Sequence, residues 1–357
     1  MDTIYITGHR NPDTDSVCSA IAYSRLKNTL DPEHPCKPCR AGLLNRETEF
    51  VLNYFQVPDP QLYTDVSPQI RDVDIRRMEG VDGEMSLRRA WITMRDQQID
   101  TLCVVDKERN LKGLITVKDV ATANMDVLDT YILAESETSY QNIVDILDAK
   151  VLVGDITGKK VEGRIVIGSG SAEQMERSIS KGDIVIVANR SESQLTAIEM
   201  GAGCVVVCAG CKVSRTICML AEEQGCMIIS TPNSTYVSGQ MISQAAPIRH
   251  YMVRDDLLTF NLNSSVESAT KVMASVRFRY FPVLDDDGHY IGVVSRRNMM
   301  NLHKKQLILV DHNEKGQAVE GIDQAEILEI IDHHRIGSME TDGPVYFRNV
   351  PVGCTCT

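Results

Sequence analysis

TIYITGHRNPDTDS (residues 3–16) opens as an apolar, β-prone run and closes on one imidazole and two carboxylates. Residues 3–8 read as a strand and 14–29 as a helix, so His9, Arg10, Asn11, Pro12, Asp13, Thr14, Asp15 and Ser16 cluster about the turn between them. Open α/β sheets place their ligands at that end of parallel strands. Pro12 stiffens the turn, and Asp13 and Asp15 alternate, so they can face two different ions. A helix cap at Asp15 or Ser16 would use the same residues without an ion. Two later stretches, LILVDHN (307–313) and EILEIIDHH (326–334), again run from an apolar strand into Asp and His. Four of the eight histidines fall in these three clusters, and packing alone does not place imidazoles beside carboxylates at three strand ends. Two divalent ions about 3.5–4 Å apart in such a site clamp a phosphoryl oxygen and activate water. The reaction class is in-line attack of water on a phosphate anhydride or ester.

Between the first and second motif segments the chain contains an internal repeat. Residues 86–119 and 265–298 align without a gap: Ser86, Ala90 and Met94 match Ser265, Ala269 and Met273. Gly113 matches Gly292, Thr116 matches Ser295, and Asp119 matches Asn298. Each copy reads as a helix, a strand ending in Asp, a turn, a strand ending in Ser or Thr, and a final helix, a βαββα-type unit. Between the copies, RIVIGS, DIVIVAN, CVVVCAG and CMIIST alternate with helical patterns near 171–180, 192–201, 214–224 and 234–244. That rhythm predicts a parallel sheet covered by helices. Gly168-Ser169-Gly170-Ser171 is open to two readings, a phosphate-binding turn or a helix N-cap.

Composition bounds the rest. The 357 residues exceed one ordinary domain, and 43% hydrophobic with 24% charged residues is the balance of a globular protein. A net charge of −12 without a basic cluster argues against nucleic-acid binding. No apolar run nears the roughly 18 residues of a membrane span, and MDTIYITGHR lacks the pattern of a secretory signal, so the expected compartment is the reducing cytoplasm. The eleven cysteines include two CxxC pairs, Cys36/Cys39 and Cys208/Cys211, too far apart in sequence for an ordinary four-cysteine zinc site. Cys103, Cys204 and Cys226 read as small core residues.

GHRNPDTDS, VDHNE and DHHRIG, followed by PVGCT, resemble the motifs of the DHH phosphoesterase superfamily, specifically the family II inorganic pyrophosphatases. That resemblance implies hydrolysis of pyrophosphate to two phosphates by a two-metal-activated water. Two Mn2+ or Co2+ ions would be held by His9, Asp13, Asp15, Asp311 and His333, with Mg2+ arriving on the substrate. Asp311 would bridge the ions and His334 would lie beside substrate and nucleophile. The repeat resembles a pair of CBS motifs, and the segment between them a DRTGG domain. The expected fold is α/β: a parallel-sheet DHH domain, residues 1–60 and 306–357, interrupted by CBS motif 1 (66–125), a DRTGG-like domain (136–245) and CBS motif 2 (248–305).

The same resemblance implies regulation by AMP, ADP, ATP or a diadenosine polyphosphate at the CBS pair. Thr116, Asp119 and Ser295 would supply ribose-type contacts, and Arg277, Arg279 and Tyr280 phosphate pairing and stacking. Asn298 stands where copy two of such motifs usually carries an acid, which weakens the ribose contact expected there. CBS modules pair, so a homodimer is expected. In the family a further metal-bridging Asp and a Ser-Arg-Lys-Lys-Gln-type pyrophosphate cluster lie beyond a helix beginning at PVGCT. This polypeptide therefore resembles a truncated catalytic part, expected to be crippled alone. Two alternatives carry different chemistry: a DHH-type phosphodiesterase on short oligonucleotides or cyclic dinucleotides, and a non-catalytic nucleotide-sensing module.

Overall fold

The computed structural model describes residues 3–125, 129–300 and 302–357. They divide into two compact units, one built from residues 1–77, 259–287 and 292–357, the other from 78–258 and 288–291. Each is taken by itself.

The first unit is organised by a six-stranded sheet whose central strands are the apolar runs of the motif segments. Across it lie Tyr346–Asn349, Glu326–Asp332, Gln306–Val310, Ile4–Thr7, Cys36–Arg40 and Gln61–Leu62. Every neighbouring pair is parallel. Numbered along the chain, that order is 3-2-1-4-5-6 read from one edge, so the winding reverses between Ile4–Thr7 and Gln306–Val310. Such a reversal opens a crevice at the carboxyl ends of the two strands. Alternate side chains of Gln306–Val310 serve opposite faces. Leu307 and Leu309 pack with Val319 and Ile322, whereas Ile308 and Val310 pack with Ile4, Ile6 and Ala20.

Ala20 comes from the helix Thr14–Leu30. Its N-cap is Asp13, whose Oδ1 accepts from the Ser16 N–H at 2.9 Å, rather than Asp15 or Ser16. That assignment leaves Asp15 inside the first turn, free to face the crevice.

The second unit contains the five-stranded sheet Lys150–Val153, Met227–Ser230, Cys204–Val207, Ile184–Val187 and Ile165–Ile167. The last four are parallel, and Lys150–Val153, which the sequence reading missed, is an antiparallel edge. The four helices of the sequence rhythm appear at Ala172–Ser178, Ser191–Glu199, Arg215–Gln224 and Thr235–Ile242. Ile184, Ile186, Cys204 and Val206 face one core, Val185, Val187, Val205 and Val207 the other. Strands buried on both faces read as unbroken apolar runs, which is why they were legible.

The two repeat copies share their local devices. Ser86 and Ser265 both cap helices, Leu87–Asp96 and Val266–Ser275, which bury Ala90 with Met94 and Ala269 with Met273. The matched glycines sit where another backbone crosses: a Cβ on Gly113 would lie 2.7 Å from Val253 O, and one on Gly292 2.6 Å from Arg76 O. The crossing segments bond directly to the next residue of each strand, Leu114 with Val253 and Val293 with Arg76. The copies part at their ends. Copy one continues into the helix Val117–Met125, whereas among the described residues copy two continues into the short 3-10 turn Asn298–Met300. Residues 351–357, expected to start a helix, hold only a turn closed by the Thr357 N–H to Cys354 O.

Candidate metal centre

The three Asp/His turns converge at the carboxyl ends of the central strands of the six-stranded sheet. Asp311, directly after Gln306–Val310, is 2% exposed. Its Oδ2 lies 3.5 Å from His9 Nε2, and its Oδ1 lies 3.4 Å from His333 Nε2. His9 Nε2 is 3.8 Å from Asp13 Oδ1, and His333 Nε2 is 3.6 Å from Asp15 Oδ2. One carboxylate thus stands between two His/Asp pairs. All the candidate ligands His9, Asp13, Asp15, Asp311 and His333 are brought together, with His334 beside them, its Nδ1 3.8 Å from Asp311 Oδ1.

A second layer fixes the imidazoles. His333 Nδ1 is 2.9 Å from Val352 O, and His334 Nδ1 is 2.8 Å from Asp332 Oδ1, so each ring is held through Nδ1 and keeps Nε2 for other contacts. Asp15 accepts from the Thr355 N–H at 2.7 Å and the Ser19 hydroxyl at 3.0 Å. The Thr355 hydroxyl donates to Asp311 Oδ1 at 2.9 Å. The final residues of the chain therefore line this site. Asp332 and Asn313 were not singled out from the sequence, although both stand inside the quoted motifs.

The electrostatics of this cluster call for a cation. Burial pushes the Asp311 carboxyl up to about 7; the Thr355 hydroxyl opposes that rise and the Asp15 and Asp13 carboxylates add to it. Burial acts against Asp15 as well, but the Thr355 N–H and the Ser19 hydroxyl hold its carboxyl below the usual range. His312, fully buried behind the turn, is pushed down to about 4 by burial, and its Nε2 has no hydrogen-bond partner. Buried carboxylates packed against each other are costly unless a positive charge joins them. Carboxylate oxygens mixed with imidazole nitrogens suit borderline divalent transition ions. Ligand atoms on one ion with bonds of about 2.1 Å lie roughly 3 Å apart at right angles, close to the spacings here. The residues present fit such ions.

Asp311 also has φ +64°, a left-handed backbone that costs a non-glycine residue about 1–3 kcal/mol where the surroundings impose it. A cleft of about 290 Å³ opens beside it, lined by His9, Arg10, Asn11, Asp311, Gln317 and His334.

The residues expected at a nucleotide site are placed in the two units separately. In the second unit the Thr116 hydroxyl donates to Asp119 Oδ2 at 2.7 Å. In the first, the Ser295 hydroxyl donates to Asn298 Oδ1 at 2.6 Å, so Asn298 keeps the acceptor role of its matched acid and spends its amide N–H on Asp74 O. The Arg279 guanidinium stands 5.5 Å from the centre of the Tyr280 ring, and Arg277 is exposed. Arg296, which the sequence reading did not select, donates to Met273 O and Phe278 O and so braces the loop carrying Arg277.

Among the described residues no helix is long and apolar enough to cross a membrane. The model of the CBS domain matches residues 70–126 and 248–305, and that of the DRTGG domain residues 142–245. A cobalt-dependent inorganic pyrophosphatase of Clostridium perfringens is 37% identical over 356 residues, all of this chain and 65% of that protein. A probable manganese-dependent inorganic pyrophosphatase of Thermotoga maritima is 32% identical over 357 residues, again 65% of its length. The chain thus spans 65% of the length of these two curated relatives. Among solved structures, the CBS and DRTGG domains of the regulatory region of Clostridium perfringens pyrophosphatase, complexed with the activator diadenosine tetraphosphate, match 64% of this chain. That match covers 99% of the solved chain, with a TM-score of 0.61 and 29% identity. Over its own length the chain is thus similar to manganese- or cobalt-dependent inorganic pyrophosphatases, and it carries a CBS pair around a DRTGG domain.

Proposed function

We propose that the protein hydrolyses inorganic pyrophosphate to two phosphates at the crevice around Asp311, using two Mn2+ or Co2+ ions. The observation that carries this reading is the single buried carboxylate standing 3.5 Å and 3.4 Å from two separate imidazoles. When bound, the ions would neutralise phosphate charge and make water acidic enough to attack at neutral pH. His9 with Asp13 would hold one ion and His333 with Asp15 the other, Asp311 serving both. His334, its Nδ1 tied to Asp332, would offer Nε2 to a phosphoryl oxygen in the cleft it lines. Arg10 adds a positive charge to that cleft, suited to a small anion arriving with Mg2+.

Adenine nucleotides or a diadenosine polyphosphate would regulate this activity through the repeat copies, using Thr116, Asp119, Ser295, Arg277, Arg279 and Tyr280. The activator named for the solved regulatory region supports that class of ligand. A cytoplasmic homodimer completes the reading.

The test is phosphate release from pyrophosphate with Mn2+ or Co2+, set beside release from a short oligonucleotide and a cyclic dinucleotide. It is run on this chain and on the chain extended by the relatives' remaining length. From the extended chain, release from pyrophosphate alone, stimulated or inhibited by diadenosine tetraphosphate and lost in Asp311→Ala, is the expected result, with this chain by itself releasing far less. Turnover of a dinucleotide instead, or no metal-dependent release from the extended protein, would overturn it.

A further inference from the structure

We infer that Asn313 is a positioning residue shared by the two late motif turns, setting Asp311 against His333 and His334 so that the site binds its ions tightly. This rests on the metal reading above. Asn313 is 3% exposed, too buried for any of its amide groups to be left to water. Its Nδ2 donates to Asp332 Oδ2 and, at 2.9 Å, to Arg335 O, while its Oδ1 accepts from the Gly337 N–H. Both amide donors and the acceptor are therefore spent on the turn carrying the two histidines. Asn313 itself lies two residues after Asp311, on the other turn.

Asp332 passes the constraint on. It is 4% exposed, and its Oδ1 accepts from the His333 N–H at 2.8 Å, the His334 N–H at 3.2 Å and the His334 ring at 2.8 Å. One side-chain amide thus reaches both histidines through a single carboxylate. The fit is close: a Cβ on Gly337 would lie 2.6 Å from Asn313 Oδ1, so the turn must carry glycine there. Asp311 also needs an outside hold to keep its left-handed backbone. A bond network to the neighbouring turn provides one.

Removing such an outer partner commonly lowers metal affinity about 10–100-fold. The experiment is a calorimetric Mn2+ titration of this chain, with Co2+ absorption bands as a spectroscopic readout and circular dichroism to establish folding. Asn313→Leu keeps the bulk and removes the amide, and should weaken Mn2+ binding about 10–100-fold. Asn313→Asp sets carboxylate against carboxylate and should weaken it more. The combination of Asn313→Asp with Asp332→Asn returns one donor and one acceptor to the same contact with their sides exchanged, and should recover part of the affinity and the cobalt bands.

Folded single variants that bind as the parent does would overturn the inference, as would a folded combination no better than Asn313→Asp. If Asn313→Leu does not fold, Asn313→Asp, which keeps the acceptor for Gly337, decides with the combination. A parent chain that binds neither Mn2+ nor Co2+ would overturn the metal reading itself, a failure distinct from equal binding by parent and variants.

Discussion

The two large sheets are both mainly parallel, both have buried apolar strands, and both end their strands in polar turns. In the five-stranded sheet the four parallel strands follow one another in chain order across the sheet. Among those four strands the winding does not reverse, so the topology makes no switch point between them. Polar groups there close on themselves: Ser171 forms a capping box with Gln174, and Asn233 donates to Leu147 O at 2.9 Å. Gly168–Ser171 is thus built as a helix cap, one of its two sequence readings. In the six-stranded sheet the winding reverses between Ile4–Thr7 and Gln306–Val310, and there His9, Asp311 and their neighbours face one another. The difference teaches that connection order gathers the acidic and imidazole groups, more than the parallel sheet as such.

The largest effect expected from this contrast is at Asp311. Asp311→Ala should lower Mn2+ affinity by at least about 100-fold, or about 2.7 kcal/mol, in a calorimetric titration. Ser171→Ala should leave that affinity unchanged. The reverse holds for the core of the other sheet. Ile186, fully buried, should cost about 2–5 kcal/mol of stability as Ile186→Ala in denaturant unfolding, with ion binding intact. If Ile186→Ala altered Mn2+ affinity as strongly as Asp311→Ala, the two regions would not be separable in this way.

Smaller effects sharpen the comparison. Saturating Mn2+ at 100 times its dissociation constant stabilises the bound fold by about 2.7 kcal/mol against global unfolding. Hydrogen exchange should place added protection in 307–335 and leave 204–230 unchanged. Uniform protection of both would contradict a localised site. Ser171→Ala, removing a helix cap, should cost about 1 kcal/mol, read as a shift in the unfolding midpoint.

Much of this was legible because its signals are local. The motif residues are contiguous, and the runs around Leu307–Val310, Ile184–Val187 and Cys204–Val207 are too apolar to be anything but buried. The repeat paired Ser86 with Ser265 and Gly113 with Gly292, and the structure makes of these pairs matched helix caps and matched close approaches. What stayed hidden depends on partners distant in sequence. Gln61–Leu62 and Tyr346–Asn349 are short, exposed edge strands without an apolar run to mark them. The crossings by Arg76 and Val253 have no local signature. Asn313 and Asp332 look like ordinary motif neighbours until the two turns are seen face to face. Among the described residues copy two ends in a 3-10 turn although Asn298 accepts from Ser295 as Asp119 does from Thr116, and that pair alone does not explain the difference.

The most direct test is electron paramagnetic resonance of this chain loaded with saturating Mn2+. If one carboxylate serves two ions, the spectrum should be that of a spin-coupled manganese pair, and Asp311→Ala should abolish the coupling. Signals of isolated ions only, the same in the parent chain and in Asp311→Ala, would contradict the shared site.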